Sequence, residues 1–137
     1  MLTQPKSTKY KKFFKKRKLP RPSNAIRRLS PQSSFSIVAL ESAFLNYKQL
    51  EATRQGIRRT LKKQGRVEIL IRPEIGISTL SSGVRMGKGK GKVKKWVVAL
   101  SSGRTLVRVI GVEEDEAIPA LECGASKLPL KVRIYPF

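Results

Sequence analysis

Histidine is absent from this sequence, and cysteine occurs once, as Cys123. A single thiol excludes an internal disulfide, and we expect Cys123 to be a small buried side chain. Without histidine the chain lacks ordinary zinc sites and the Ser–His or Cys–His pairs of nucleophilic enzymes. The nine Asp and Glu include four in a row at residues 113–116, and the dispersed remainder suggests no general base with a metal site. We therefore expect no enzyme, no cofactor, no metal and no small-molecule substrate.

Long apolar runs are missing too, because no uninterrupted stretch approaches the length needed to span a membrane. What the chain has in excess is positive charge: thirty Lys and Arg give a net charge of +21 over 137 residues. A free protein of this size would repel itself strongly at that charge, so a polyanion is expected as its normal partner. With no membrane-binding segment, nucleic acid is the favoured polyanion.

The first 32 residues form a basic arm rather than part of a core. Residues 1–40 hold eleven Lys and Arg, no acid and four prolines, so we expect little regular structure there without a partner. Aromatic side chains at Tyr10, Phe13 and Phe14 add base stacking to phosphate neutralisation. A solvated tail or a cleavable targeting peptide are the alternatives. The predicted RNA contacts of the arm are Lys6, Lys9, Lys11, Lys12, Lys15, Lys16 and Arg17.

Residues 33–137 predict one α+β domain, with two helices packed on a mainly antiparallel sheet. Alternating apolar residues predict strands at 34–39, at 66–72 up to Pro73 and at 130–135. A hairpin is predicted from 96–100 and 105–110 about the turn at 101–103. The acidic residues 113–116 begin a second helix, where carboxylates suit the helix dipole; the sharper alternative is an acidic face turned away from RNA or towards a basic protein. Pro119 implies that this helix starts later or is kinked.

The first helix is predicted from a capping box at Asn46 and Gln49 to a left-handed turn at Gly65. Its apolar positions share one face, and Gly56 indicates close packing or close approach of RNA. Its other faces carry cations that repel one another unless phosphates lie against them, although a merely solvated face is the simpler alternative. The helix residues predicted to bind RNA are Arg54, Arg58, Arg59, Lys62 and Lys63.

Glycine and lysine alternate within a long loop predicted over residues 73–92. Such a backbone can approach a ligand closely and carries a cation at every second step. A nucleotide-binding P-loop is excluded, because Gly87 and Gly91 enclose three residues instead of four and Val93 replaces the required Ser or Thr. The dinucleotide fingerprint fails as well, since the loop leads into a strand. The loop residues predicted to act are Arg85, Met86, Gly87, Lys88, Gly89, Lys90, Gly91 and Lys92.

The order of these motifs resembles the L-sixteen family of large-subunit ribosomal proteins. The run VRMGKGKG at residues 84–91 is similar to the signature of that family, and WVVA at 96–99 stands where the family has a tryptophan-led strand. The opening QPK at 4–6 with TKY at 8–10, the helix segment QLEA at 49–52 and the segment KLPLK at 127–131 also resemble family motifs. The similarity is collinear and covers nearly the whole chain.

This resemblance implies a structural constituent of the large ribosomal subunit. The expected partners are large-subunit rRNA, tRNA and neighbouring ribosomal proteins, and the glycine-lysine loop is expected to reach the tRNA (A/P) site near the peptidyl-transferase centre. In some bacterial relatives the arginine that opens the loop motif is hydroxylated, and Arg85 occupies that place. Composition alone leaves a free-standing basic nucleic-acid-binding protein as the alternative.

The compartment follows less directly from the sequence. Because the family's opening pattern begins at Gln4, we expect no cleavable presequence and synthesis in the compartment where the protein works. Bacterial cytoplasm and an organelle with its own genes both fit. The arm departs from bacterial members, because it lacks their Gly-rich stretch at 17–36 and is Lys-rich and Gly-poor, and this favours a mitochondrial ribosome.

Overall fold

The computed structural model describes residues 4–10, 12–14, 20–21, 34–62, 64–87 and 89–136. Of the residues predicted to contact RNA, Lys11, Lys15, Lys16, Arg17, Lys63 and Lys88 lie outside this part. Within it the chain forms seven strands and two helices, in the order β1 Ser34–Ala39, β2 Ala43–Asn46, α1 Tyr47–Thr60, β3 Arg66–Ile69, β4 Ile75–Thr79, β5 Lys92–Leu100, β6 Thr105–Ile110, α2 Glu114–Ala125 and β7 Val132–Pro136.

The strands form two sheets rather than the single sheet expected. One sheet has the order β3-β6-β1-β7 and the other β2-β5-β4, and every pairing is antiparallel. Helix α2 packs on β1 and β7, and α1 lies against α2, β2 and β3. The predicted α+β class with two helices on antiparallel strands is therefore confirmed. Among the described residues, no helix is long and apolar enough to cross a membrane.

The predicted hairpin between 96–100 and 105–110 is wrong. The turn exists, with Gly103 at a φ of 81°, but β5 and β6 belong to different sheets. The backbone of the turn bonds to the end of β1 instead, because Gly103 N–H donates to the Ala39 carbonyl at 2.7 Å. The chain thus passes from one sheet to the other at this turn. Strand β1 takes up the side of β6 that a hairpin partner would have used.

Strand β1 is buried on both faces, not on one. Phe35, Ile37 and Ala39 enter the core as predicted, yet Ser34 and Ser36 are buried too. The register explains Ser36, which stands between Arg108 on β6 and Tyr135 on β7. Directly opposed residues of neighbouring strands share a face, so the small serine lies between two long side chains.

Helix α1 begins where the sequence predicts. The Gln49 side chain accepts a hydrogen bond from the Asn46 backbone N–H at 2.9 Å, and the predicted apolar face, Leu50, Ile57 and Leu61, is fully buried. The helix ends earlier than predicted, at Thr60. The first left-handed residue after it is Lys62, with a φ of 45°, while Gly65 at 63° follows in the link to β3.

The two helices meet at their glycines. A Cβ placed on Gly124 of α2 would lie 2.5 Å from Ile57 Cγ1, whereas one on Gly56 of α1 would lie 3.6 Å from the Cys123 carbonyl oxygen and 3.7 Å from its Sγ. Gly56 therefore marks helix packing, one of its two predicted roles. Cys123 is half-buried at this contact rather than fully buried. Helix α2 begins at Glu114 despite Pro119 inside it, so the late start is excluded.

Two strand boundaries also differ from expectation. Strand β3 ends at Ile69, before Pro73, and the loop expected over 73–92 contains β4. Strand β4 pairs along β5, with Ile75 opposite Val97 and Thr79 opposite Lys92. The glycine-lysine loop proper is therefore the segment 80–91, which connects two paired strands. Its two ends lie side by side.

Candidate RNA interface

A cationic edge runs along the end of α1. The exposed side chains of Arg58, Arg59 and Lys62 line one shallow surface depression with Gln55. Arg58 and Arg59 lie away from the buried face of Leu50 and Ile57, and Lys62 follows just beyond the end of the helix. Within the described part of the chain, none of the three cations forms an ion pair. This edge therefore presents uncompensated positive charge to solvent.

Arg54 differs from the other cations that the sequence predicts on α1. Its guanidinium is paired with the Glu51 carboxylate, and both side chains are partly buried. The hydrogen bond from Arg54 lowers the pKa of Glu51 below its ordinary range. An arginine already held by a carboxylate has fewer donors left for a phosphate. Of the predicted residues on this helix, Arg54 is thus the least available to RNA.

The described part of the arm contains no helix or strand and lies along the rest of the chain. Residues 4–7 and 72–74 line a common depression, and the Pro20 carbonyl accepts a hydrogen bond from the Ser42 hydroxyl at 3.3 Å. Lys6, Lys9 and Lys12 are exposed. Of the three aromatic side chains, Tyr10 is 66% and Phe14 94% exposed, whereas Phe13 is half-buried against Trp96.

The described residues of the loop at 80–91 extend into solvent without helix or strand. Met86 is 93% exposed, and Arg85 is exposed beside it. Gly87 and Gly89 have φ values of 122° and 88°, with open space around them, so their role is backbone conformation. Gly91 is different, because a Cβ there would lie 2.4 Å from the Thr79 carbonyl oxygen. The base of the loop closes only because residue 91 has no side chain.

A second basic surface was not predicted. The outer face of the four-stranded sheet carries Arg66, Arg108 and Arg133, with the Arg133 guanidinium 5.4 Å from the centre of the Tyr135 ring. Glu68 stands opposite Arg108 in the register and pairs with Arg66 at 2.9 Å. The sequence carried a signal for this face, because Arg108 in β6 stands between buried residues and Arg133 in β7 stands between half-buried apolar ones. That alternation predicts only that these arginines face away from the core.

Comparison with known proteins identifies the family of this chain. Residues 5–135 match the family described as Ribosomal protein L16p/L10e. A protein of Hyphomonas neptunium called Large ribosomal subunit protein uL16 is 40% identical over 133 residues, which is 97% of this chain and 95% of the relative. A protein of the same name from Chelativorans sp. is 40% identical over 132 residues, or 96% and 95% of the two chains.

These matches span both the arm and the loop, and the family they define consists of structural components rather than enzymes. The resemblance carried by the glycine-lysine run and the flanking motifs is confirmed. The high positive charge also fitted a free-standing nucleic-acid-binding protein, and membership of a ribosomal protein family now explains it. The chain belongs to the L16p/L10e family of ribosomal proteins and is a structural constituent of the large ribosomal subunit.

Proposed function

We propose that this chain binds large-subunit rRNA through α1 and the basic arm and places its loop at the tRNA (A/P) site near the peptidyl-transferase centre. The cationic edge of α1 carries the rRNA part of the proposal. Arg58, Arg59 and Lys62 crowd one helix end without an ion pair among the described residues. Such crowding is unfavourable in the free chain and becomes favourable when phosphates neutralise it and release their counterions. Lys63, next in sequence, extends the same run of charge.

Charge reversal on this edge tests the proposal. We expect Arg58→Glu with Arg59→Glu to weaken binding to a transcript of bacterial large-subunit rRNA and to lower the slope of log affinity against log salt by about 0.7–0.9 for each lost phosphate contact. The matched control is Arg104→Glu with Lys127→Glu, two exposed cations elsewhere that change the net charge equally. Equal slopes for the two double variants would mean that α1 contributes only to the general field of the protein.

The arm supplies the second set of rRNA contacts in this proposal. Residues 1–32 act as an appendage of the domain formed by 33–137, with Lys6, Lys9, Lys11, Lys15, Lys16 and Arg17 neutralising phosphates. The exposed rings of Tyr10 and Phe14 are available to stack on unpaired bases. Because Phe13 is half-buried against Trp96, we assign no stacking to it. Replacing Tyr10 and Phe14 with leucine is expected to weaken RNA binding while leaving its salt slope unchanged, since stacking carries no charge.

The loop is proposed to lie beside tRNA, because it combines reach, exposure and charge. Arg85 can donate two parallel hydrogen bonds to a phosphate, whereas a lysine acts as a mobile point charge. Arg85→Lys should therefore slow peptide synthesis by reconstituted subunits more than Lys88→Arg does. Equal rates for the two exchanges would remove the bidentate contact from the proposal. Purified subunits also allow mass spectrometry to detect hydroxylation at Arg85.

The compartment is part of the same proposal. The Lys-rich and Gly-poor arm supports a mitochondrial ribosome, and the bacterial relatives leave bacterial cytoplasm as the alternative. The two compartments are distinguished by the source of the large subunits with which the chain sediments in high salt. Finding it in subunits isolated from purified mitochondria would support the organelle. Finding it only in cytoplasmic subunits of a bacterium would reject that part of the proposal.

A further inference from the structure

The arm and the base of the loop are joined by two hydrogen bonds between segments that are distant in sequence. The Lys12 ammonium donates to the Lys90 backbone carbonyl, and the Lys90 ammonium donates to the Phe13 backbone carbonyl. The same Lys90 ammonium lies 5.0 Å from the centre of the Phe14 ring. Both bonds are charge-assisted, because each donor is a cation. Lys90 is thus engaged through its side chain and its backbone at once.

A seat for Phe13 lies next to these bonds. Its ring meets Trp96 edge-to-face, with centroids 5.7 Å apart and planes at 75°. Gly76 on β4 provides space for the two rings, since a Cβ there would lie 3.3 Å from Phe13 Cδ2 and 3.4 Å from Trp96 Cζ3. The surrounding cavity, about 70 Å³, is mainly apolar, with Phe44, Ile75, Ile77 and Val97 in its wall. Phe13 therefore docks the arm on the β2-β5-β4 sheet.

From these contacts we infer that Lys12, Phe13, Lys90 and Trp96 form a clasp that holds the arm and the loop base in one arrangement. Lys90 is then a positioning residue, not one of the phosphate contacts predicted for the loop. A glycine-rich segment loses much conformational freedom when it is ordered, and the clasp supplies that order before RNA arrives. Binding at the arm and binding by the loop are consequently coupled, and the coupling is reciprocal. This RNA consequence rests on the proposed function, whereas the clasp itself does not.

The clasp is tested first in the free full-length protein. Phe13→Ala is compared with Tyr10→Ala, which removes an exposed aromatic ring of the same arm, and Lys90→Met with Lys94→Met, which removes an exposed cation of β5. An arginine-specific protease that cuts after the exposed Arg85 must take up several flanking residues in an extended form, including Lys90, so its cleavage rate reports release of the loop base, and none of the four substitutions alters an arginine. Loss of the edge-to-face pair between Phe13 and Trp96, or of one hydrogen bond of Lys90, should change the equilibrium between the closed and open clasp roughly two- to tenfold. Both clasp variants should therefore be cut about threefold faster or more, and both controls at the parent rate.

Fluorescence gives an independent signal, because Trp96 is the single tryptophan of the chain. Its emission should shift to longer wavelength in Phe13→Ala and stay in place in Tyr10→Ala. Should Phe13→Ala fold poorly, Lys90→Met keeps the test valid, since Lys90 is exposed and, although it lines the cavity, the Phe13–Trp96 pair and the apolar wall remain. Cleavage and emission that do not separate the clasp variants from their controls would overturn the inference.

RNA binding separates positioning from direct contact. Against a transcript of bacterial large-subunit rRNA, Lys90→Met removes one hydrogen bond of the clasp and should lower affinity about two- to tenfold while leaving the salt slope unchanged. Arg58→Met, which removes a cation of α1 that is proposed to contact an rRNA phosphate, should lower that slope by about 0.7–0.9. If Lys90→Met lowers the slope as much, Lys90 is a phosphate contact and the inference fails. If even the parent protein does not bind the transcript, the proposed function fails while the protease result still decides the clasp.

Discussion

Arg54 and Glu51 are joined by three hydrogen bonds on α1. The Arg54 Nε donates to the two carboxylate oxygens at 3.1 and 3.2 Å, and Nη2 donates to Oε1 at 2.6 Å. This bonding lowers the pKa of Glu51 and raises that of Arg54. Arg54 therefore stabilises the helix through this pair, whereas Arg58 and Arg59 are available to bind a polyanion. Charge count alone would have treated them as equivalent.

The stability of this pair should depend on pH. Because folding lowers the pKa of Glu51 below its ordinary value of 4.5, the ion pair stabilises the protein above that pH and its contribution is lost as pH falls through the folded value. Glu51→Gln should therefore cost about 0.5 kcal/mol of unfolding free energy at pH 7 and less at pH 3. Chemical denaturation at the two pH values measures this. Glu122→Gln, an exposed carboxylate on α2, is the control for the general loss of negative charge; an equal loss in both variants would contradict the prediction.

Lys62 combines an unfavourable backbone with a position on the cationic edge. Its φ of 45° lies in the left-handed region, which costs a residue with a Cβ roughly 1 kcal/mol. Lys62→Gly should raise the unfolding free energy by about 0.5–1 kcal/mol and lower the salt slope of rRNA binding. Lys62→Ala separates the effects, since it removes the charge but keeps the strain. Equal unfolding free energies for Lys62→Gly and Lys62→Ala would contradict the predicted backbone strain at this position.

The contact between the helices gives a matched pair of substitutions. Gly124→Ala would bring a methyl group within 2.5 Å of Ile57 Cγ1, so we expect a loss of about 1–3 kcal/mol. Gly56→Ala meets its neighbours at ordinary contact distance, 3.6 Å or more, and should gain up to about 1 kcal/mol from higher helix propensity. Thermal unfolding of both variants checks this. Equal effects would show that the helices can separate without penalty.

Local patterns in the sequence predicted those parts of the fold that local patterns determine. The spacing of Leu50, Ile57 and Leu61 specified the buried face of α1, and the alternation through Val132 and Ile134 specified β7. Partner choice was not local. The turn at 101–103 reads the same whether β6 pairs with β5 or with β1, and only the whole sheet decides between them. Strand β4 was missed because Gly76 and the nearby Pro73 weaken its local signal.

The candidate site divides in the same way. Charge and exposure identified the cations of α1, the arm and the loop, since a basic residue on a polar helix face is readable from periodicity. The sequence could not show that Arg54 is paired, because an acid three residues away is compatible with either a pair or two free groups. Nor could it show that Phe13 docks beside Trp96, since that contact joins distant segments through the space above Gly76. Both findings move a predicted contact residue into a structural role.

The last prediction concerns the length of the loop. Residues 84–87 and 89 are solvent-exposed, whereas Lys90 belongs to the clasp and Gly91 packs on the Thr79 backbone. Replacing 84–89 by two glycines should therefore leave the unfolding free energy within about 1 kcal/mol of the parent, because none of the described residues in that segment is buried. Deleting 89–91 instead removes both anchors and should destabilise the protein and loosen the arm.

The two deletions are compared by thermal unfolding and by peptide synthesis with reconstituted subunits. Loss of the loop tip should slow synthesis although the protein still folds and enters the subunit, because the charge and reach proposed to serve tRNA are gone. Deletion of the anchors should impair folding first and synthesis as a consequence. The opposite result, a lower melting temperature with normal synthesis, would contradict this prediction. It would mean that the loop tip contributes to folding and not to translation, although exposed segments with few contacts normally contribute little to stability.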